Sequence, residues 1–277
     1  MSTFFAIFYT CFPILSHIIH FVLPNELSET ARRLINGITA VDYQFPYQAG
    51  FVRVKDDMDK FYCGCTIFNI SFVITAAHCF LGPNETIDVI AGNSNLGSEE
   101  TQRFRVINWY NHQDYNRDKI KDNDIALVEI SGKFWNQEPT KGLSTIDIID
   151  HEIEMGTPCI TSGWGKLHSS RTKAHPYLQY TTQICVDIKQ CPTIRNENRV
   201  AEGVLCLKSK ISTMCHGDSG GPAVYNHKLV GVLSWGRGNC ENFDYGNVKD
   251  THTDTKFQSF GYKPQRFLHR YGGFLDP

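Results

Sequence analysis

The chain has 277 residues, 41% of them hydrophobic and 20% charged, with a formal net charge of −2. That length and apolar content suffice for one large domain or two small ones with a real core. A charge so near zero, with no long basic cluster, argues against nucleic acid as a partner.

Residues 1–24 contain no Lys, Arg, Asp or Glu and are rich in Phe, Ile and Leu. The stretch reads as a removed signal peptide with Phe4 to Leu15 as its apolar core. A membrane anchor is the alternative, but Pro13, His17 and His20 count against stable burial in lipid. The expectation is a secreted, extracellular protein with no stable membrane association. From residue 25 the chain turns polar, with Glu26, Glu29, Arg32 and Arg33 close together.

Beyond that point the chain reads as short strands. Phe72–Ile74, Ile87–Ile90, Arg103–Val106 and Ile125–Val128 come first, then Cys159–Thr161 and Leu229–Leu233. Gly, Asn, Pro and Asp punctuate these runs, as in antiparallel sandwiches and barrels. No repeat or low-complexity segment interrupts them.

Ten cysteines, mostly after residue 60, indicate disulfides and an oxidising compartment. The one close pair, Cys63-Gly64-Cys65, does not have the spacing of a zinc site. Neither a metal nor an organic cofactor is expected. Two N-glycosylation sequons, Asn69-Ile70-Ser71 and Asn84-Glu85-Thr86, fall between strands.

Three segments carry chemistry. Thr75-Ala76-Ala77-His78-Cys79 follows an apolar strand, Asp122-Asn123-Asp124-Ile125 opens another, and Gly217-Asp218-Ser219-Gly220-Gly221-Pro222 forms a glycine-rich turn. Singly, each has a dull explanation as a surface His, a turn Asp and a loop Ser. Together they supply what acyl transfer needs. A serine hydroxyl is a weak nucleophile without a base in reach. Imidazole titrates near neutral pH and serves as that base. A carboxylate on its far nitrogen fixes the tautomer. Glycine at 217 permits a conformation that turns its N–H, with that of Ser219, toward a developing oxyanion.

With Leu34-Ile35-Asn36-Gly37, Gly163-Trp164-Gly165 and Ser234-Trp235-Gly236 added, the chain resembles the chymotrypsin/trypsin family of serine endopeptidases over residues 34 to about 240. The resemblance implies two antiparallel six-stranded β-barrels with a short C-terminal helix. It implies His78 as general base, Asp124 as its orienting acid, Ser219 as nucleophile, and Gly217 and Ser219 as oxyanion donors. Ser234 would bond Asp124, and Ser234 to Gly236 would pair with substrate backbone. Residues 25–33 become an activation propeptide, 34–262 the protease domain and 263–277 an unplaced tail. An activating protease cutting after Arg33 would free an ammonium at Leu34 to pair with Asp218. The implied disulfides are Cys63–Cys79, Cys191–Cys206 and Cys215–Cys240, leaving Cys65, Cys159 and Cys185. Cys159 and Cys185 fall on strands that should be neighbours, so a nonstandard bridge between them is an open alternative to free thiols.

Trypsins carry an acid six residues before the nucleophile, where this chain has Thr213 followed by Met214. A cationic side chain would be buried there unpaired. With Gly236 and Gly246 keeping the walls open, the expected preference is for apolar side chains, with Met214 narrowing the pocket toward aliphatic ones. His216 and Arg237 flank the cleft. The expected partners are protein or peptide substrates, the activator and protein protease inhibitors, and the expected state is a monomer. The competing reading is a catalytically silent homologue that uses the barrels for binding. Such homologues commonly lose His, Asp or Ser, and all three stand here.

Overall fold

The structure is a computed structural model that describes residues 37–55, 58–80, 86–115, 123–167, 171–187, 203–209, 212, 214–236 and 253–259. The expected signal peptide, propeptide, C-terminal helix and tail lie outside the described residues, as do Arg33, Leu34, Cys191, Thr213, Arg237, Cys240 and Gly246.

The first barrel closes through β2 (Gln48–Lys55), β3 (Met58–Ile67), β4 (Phe72–Thr75), β7 (Ala126–Ile130), β6 (Gln102–Asn111) and β5 (Thr86–Ala91). Its neighbouring pairs are all antiparallel. The alternation Arg103-Phe104-Arg105-Val106 shows why such a segment is a strand. Its arginines face solvent while Phe104 and Val106 pack on the core. Phe51, Ile67, Val73, Ile74, Val89, Leu127 and Val128 are all buried in the hydrophobic core, some inside the barrel and some on its covered outer face.

The second barrel comprises β9 (Pro158–Gly163), β10 (Gln179–Val186), β11 (Val204–Ser209), β14 (Thr253–Ser259), β13 (Lys228–Gly236) and β12 (Pro222–Tyr225). The β12–β9 and β9–β10 pairings close the ring. β1 (Ile38–Thr39) adds to β10, and β8 (Asp147–Ile148) runs parallel to the start of β13. The two six-stranded antiparallel barrels agree with the expectation, and every segment read as a strand lies in one within a residue or two. The one departure is Ile125, which precedes β7.

The interior of the second barrel is less apolar than its strands suggest. The inner face of β10 is Gln179, Thr181, Gln183 and Cys185, all buried. Buried polar groups are tolerable only when paired. Accordingly Thr181 Oγ1 lies 2.6 Å from Ser212 Oγ, which lies 3.0 Å from Ser209 Oγ. Between the barrels, the buried Ser162 hydroxyl of β9 donates to Gln48 Oε1 of β2 at 2.6 Å. No helix among the described residues is long and apolar enough to cross a membrane.

Candidate active site

His78 sits in a single 3₁₀ turn, Ala77–Cys79, directly after β4. Two constraints hold that turn. The Cys63–Cys79 disulfide closes a sequence separation of 16 residues onto β3, worth about 3 kcal/mol in the loop-entropy account. Asp124, fully buried just ahead of β7, accepts the His78 backbone N–H at Oδ1, 2.9 Å away. Its other oxygen, Oδ2, lies 2.7 Å from His78 Nδ1 and also accepts the Ser234 hydroxyl. One carboxylate thus meets donors from both barrels. That arrangement directs Nε2 of His78 away from Asp124, and the side chain is 17% exposed.

Ser219 lies in the turn ahead of β12. Its carbonyl accepts the Gly64 amide of the first barrel at 2.7 Å and lies 3.8 Å from Cys79 Sγ. The serine is therefore fastened beside the residue that follows His78. Among the described residues no hydrogen bond joins the His78 ring to Ser219 Oγ, and such bonds commonly tighten only when substrate binds. Cys63, His78 and Cys79 place three potential metal-ligating atoms together, but the two sulfurs are joined to each other.

The turn bearing Ser219 is shaped by Asp218. This carboxylate is buried and accepts the amides of Cys215 at Oδ2, 2.8 Å, and Gly165 at Oδ1, 2.7 Å. Burial raises its pKa to about 6, against the opposing pull of the Cys215 and Gly165 amides. A Cβ at Gly163 or Gly165 would collide with the Asp218 carboxylate. That collision explains the glycines on either side of Trp164. The Trp164 ring itself is buried and donates to the Ser94 carbonyl at 2.8 Å. Gly217 adopts φ +101°, open to glycine and costly to other residues.

Ser234, Trp235 and Gly236 end β13. The strand pairs with β12 only as far as Val232, and beyond it with β14 on the other edge. Leu233 exchanges hydrogen bonds with Gly220 and Gly221, next to Ser219. Past that point the edge facing Ser219 has no backbone partner among the described residues. Met214 is buried, and His216 is exposed with its carbonyl accepting the Lys166 amide at 2.8 Å.

Cys206 and Cys215 are both disulfide-bonded, their partners lying outside the described residues. Cys65, Cys159 and Cys185 are buried free thiols. Cys159 and Cys185 do lie on adjacent strands, yet the register sets Gln183 opposite Cys159, and no bridge forms. Burial raises all three thiols, Cys159 to about 12 with Cys185 adding to the rise. Reading the sequence missed Lys256, a buried cation on β14 against Trp235. Nothing in its local pattern marks it as inward-facing.

A family model described as Trypsin matches residues 34–255. Among curated proteins, the chain is 30% identical over 229 residues to Trypsin of Sarcophaga bullata, covering 82% of this chain and 86% of that one. It is 29% identical over 218 residues to Trypsin delta of Drosophila melanogaster, covering 78% and 83%. It is 30% identical over 219 residues to Trypsin epsilon of Drosophila erecta, covering 78% and 82%. With two closed barrels and a buried carboxylate joining histidine to serine across them, the chain belongs to the trypsin family of serine endopeptidases.

Proposed function

We propose that the protein is a secreted zymogen that, once cut after Arg33, hydrolyses peptide bonds through an acyl-enzyme. Ser219 Oγ attacks the scissile carbonyl while His78 Nε2 takes its proton. Asp124, bonded at Nδ1, holds the tautomer that leaves Nε2 free and stabilises the imidazolium that forms. The amides of Gly217 and Ser219 receive the developing oxyanion. His78 then returns the proton to the leaving amine, and water repeats the sequence to free the acid. The observation that carries this reading is the chain of contacts Ser234–Asp124–His78 beside the turn of Ser219.

In the precursor, residues 1–24 direct export and residues 25–33 are released as the propeptide. The freed Leu34 ammonium pairs with Asp218, a carboxylate whose raised pKa reflects burial without a cation. Pairing orders the Gly217 amide. Thr213 supplies no charge to the pocket, so apolar side chains are preferred beside the cleaved bond. Met214, Gly236 and Gly246 complete its walls, and His216 flanks the cleft. Cys191–Cys206 and Cys215–Cys240 brace the second barrel. The mature enzyme works as a monomer and is open to protein inhibitors that present a substrate-like strand. The decisive test is labelling by a fluorophosphonate after activation. Stoichiometric labelling of wild type and none of Ser219→Ala is expected; no labelling of activated wild type would favour a silent homologue.

A further inference from the structure

β14 carries a lysine at a place where the wall of a barrel ordinarily takes an apolar residue. Lys256 is 1% exposed and stands in register between Trp235 of β13 and Cys206 of β11. Its ammonium lies 3.5 Å from the centroid of the Trp235 ring. An ammonium withdrawn from water needs compensation. The face of an indole is the strongest aromatic acceptor of a cation, and here it supplies a part of that compensation.

The location gives the pair its meaning. Ser234 turns its hydroxyl to Asp124, and the next side chain, Trp235, lies over Lys256 with its ring only partly buried. One face of the indole is therefore held by Lys256, and the residue stays partly exposed on the strand whose edge past Leu233 has no backbone partner among the described residues. We infer that Lys256 is a positioning residue for substrate. By holding the Trp235 ring, it fixes the Ser234–Gly236 edge and the aromatic surface against which an extended peptide packs upstream of its scissile bond. This inference rests on the reading of Ser234–Gly236 as the substrate-pairing strand.

The test uses the activated full chain, Lys256→Met, which keeps length and loses charge, and Lys256→Arg, which keeps the cation. Each is assayed on a single-residue ester and on a five-residue peptide amide extending upstream. Lys256→Met should raise the peptide KM about tenfold, the weight of one buried cation–ring contact, with kcat unchanged. Its ester kcat/KM should stay within about twofold, and its tryptophan emission should shift. Lys256→Arg should restore the peptide KM. An unchanged peptide KM in Lys256→Met, or equal losses on both substrates with no rescue by Arg, would overturn the inference. If Lys256→Met does not fold, Trp235→Phe, with its weaker ring acceptor, must raise the peptide KM; no rise overturns the inference equally. Inactivity of activated wild type on both substrates removes the protease reading and this one with it. Wild-type activity without the split removes this one alone.

Discussion

The carboxylate of Asp218 occupies the space that a side chain at position 165 would need, and it accepts the Gly165 amide at 2.7 Å. A turn next to Ser219 and a loop between strands of the second barrel are thus locked to one another through a single buried acid.

Gly165→Ala tests that lock. The new Cβ would overlap the buried carboxylate, which the Cys215 and Gly165 amides hold in place. Overpacking of this kind costs roughly 1–3 kcal/mol. A lower thermal midpoint with a greater than proportional loss of active sites, titrated with a burst substrate, is the expected outcome.

Asp218 also sets a pH dependence. Its folded pKa of about 6 stands above the ordinary 3.8, so the unfolded chain ionises first as pH rises. Stability is therefore fully present below about pH 4 and lost as pH climbs through 6, by on the order of 3 kcal/mol. Urea unfolding of the uncleaved protein between pH 4 and 7 should show this decline, and Asp218→Asn should flatten it. Cleavage after Arg33 should flatten it too, because the new ammonium favours the charged carboxylate.

The carboxylate between the barrels grades two substitutions. Ser234→Ala removes the Ser234 bond to Asp124 and leaves both from His78. One lost hydrogen bond to a charged group, at roughly 1.5 kcal/mol, corresponds to a kcat about tenfold lower with KM preserved. Asp124→Asn spoils the tautomer as well, and its kcat should fall by about 10⁴.

Arg33→Gln should leave a precursor that a trypsin-like activator cannot switch on. Amino-terminal sequencing at Leu34 in wild type, with its absence in the variant, completes the measurement. Full activity of the variant would remove the switch.

Cleavage of a peptide library should show Phe, Tyr, Leu or Met before the scissile bond, with aliphatic residues leading. A profile dominated by Arg or Lys would contradict the uncharged pocket read from Thr213.

Local pattern was sufficient where a residue's surroundings come from its neighbours in the chain. The alternation along β6 and the apolar run of β4 announce strands, because one face of each is wet and the other dry. Position 217 needed glycine for its φ of +101°. It was insufficient on β10, whose inward residues include two glutamines and a threonine. Polarity by itself predicts the outside, and only the closing of the ring brings Ser212 to Thr181, with Ser209 bonded to Ser212 in turn. Lys256 misleads in the same way, reading as a solvated lysine until β13 lays an indole across it.

Residue type and chain order alone determined the two-barrel family and the segments that bear histidine, aspartate and serine. They could not determine which groups meet. His78 and Asp124 are 46 residues apart, and Ser234 and Asp124 are 110 apart. Contacts across such distances arise only when whole sheets close and pack, since burial and hydrogen-bond pairing are then settled for all strands at once.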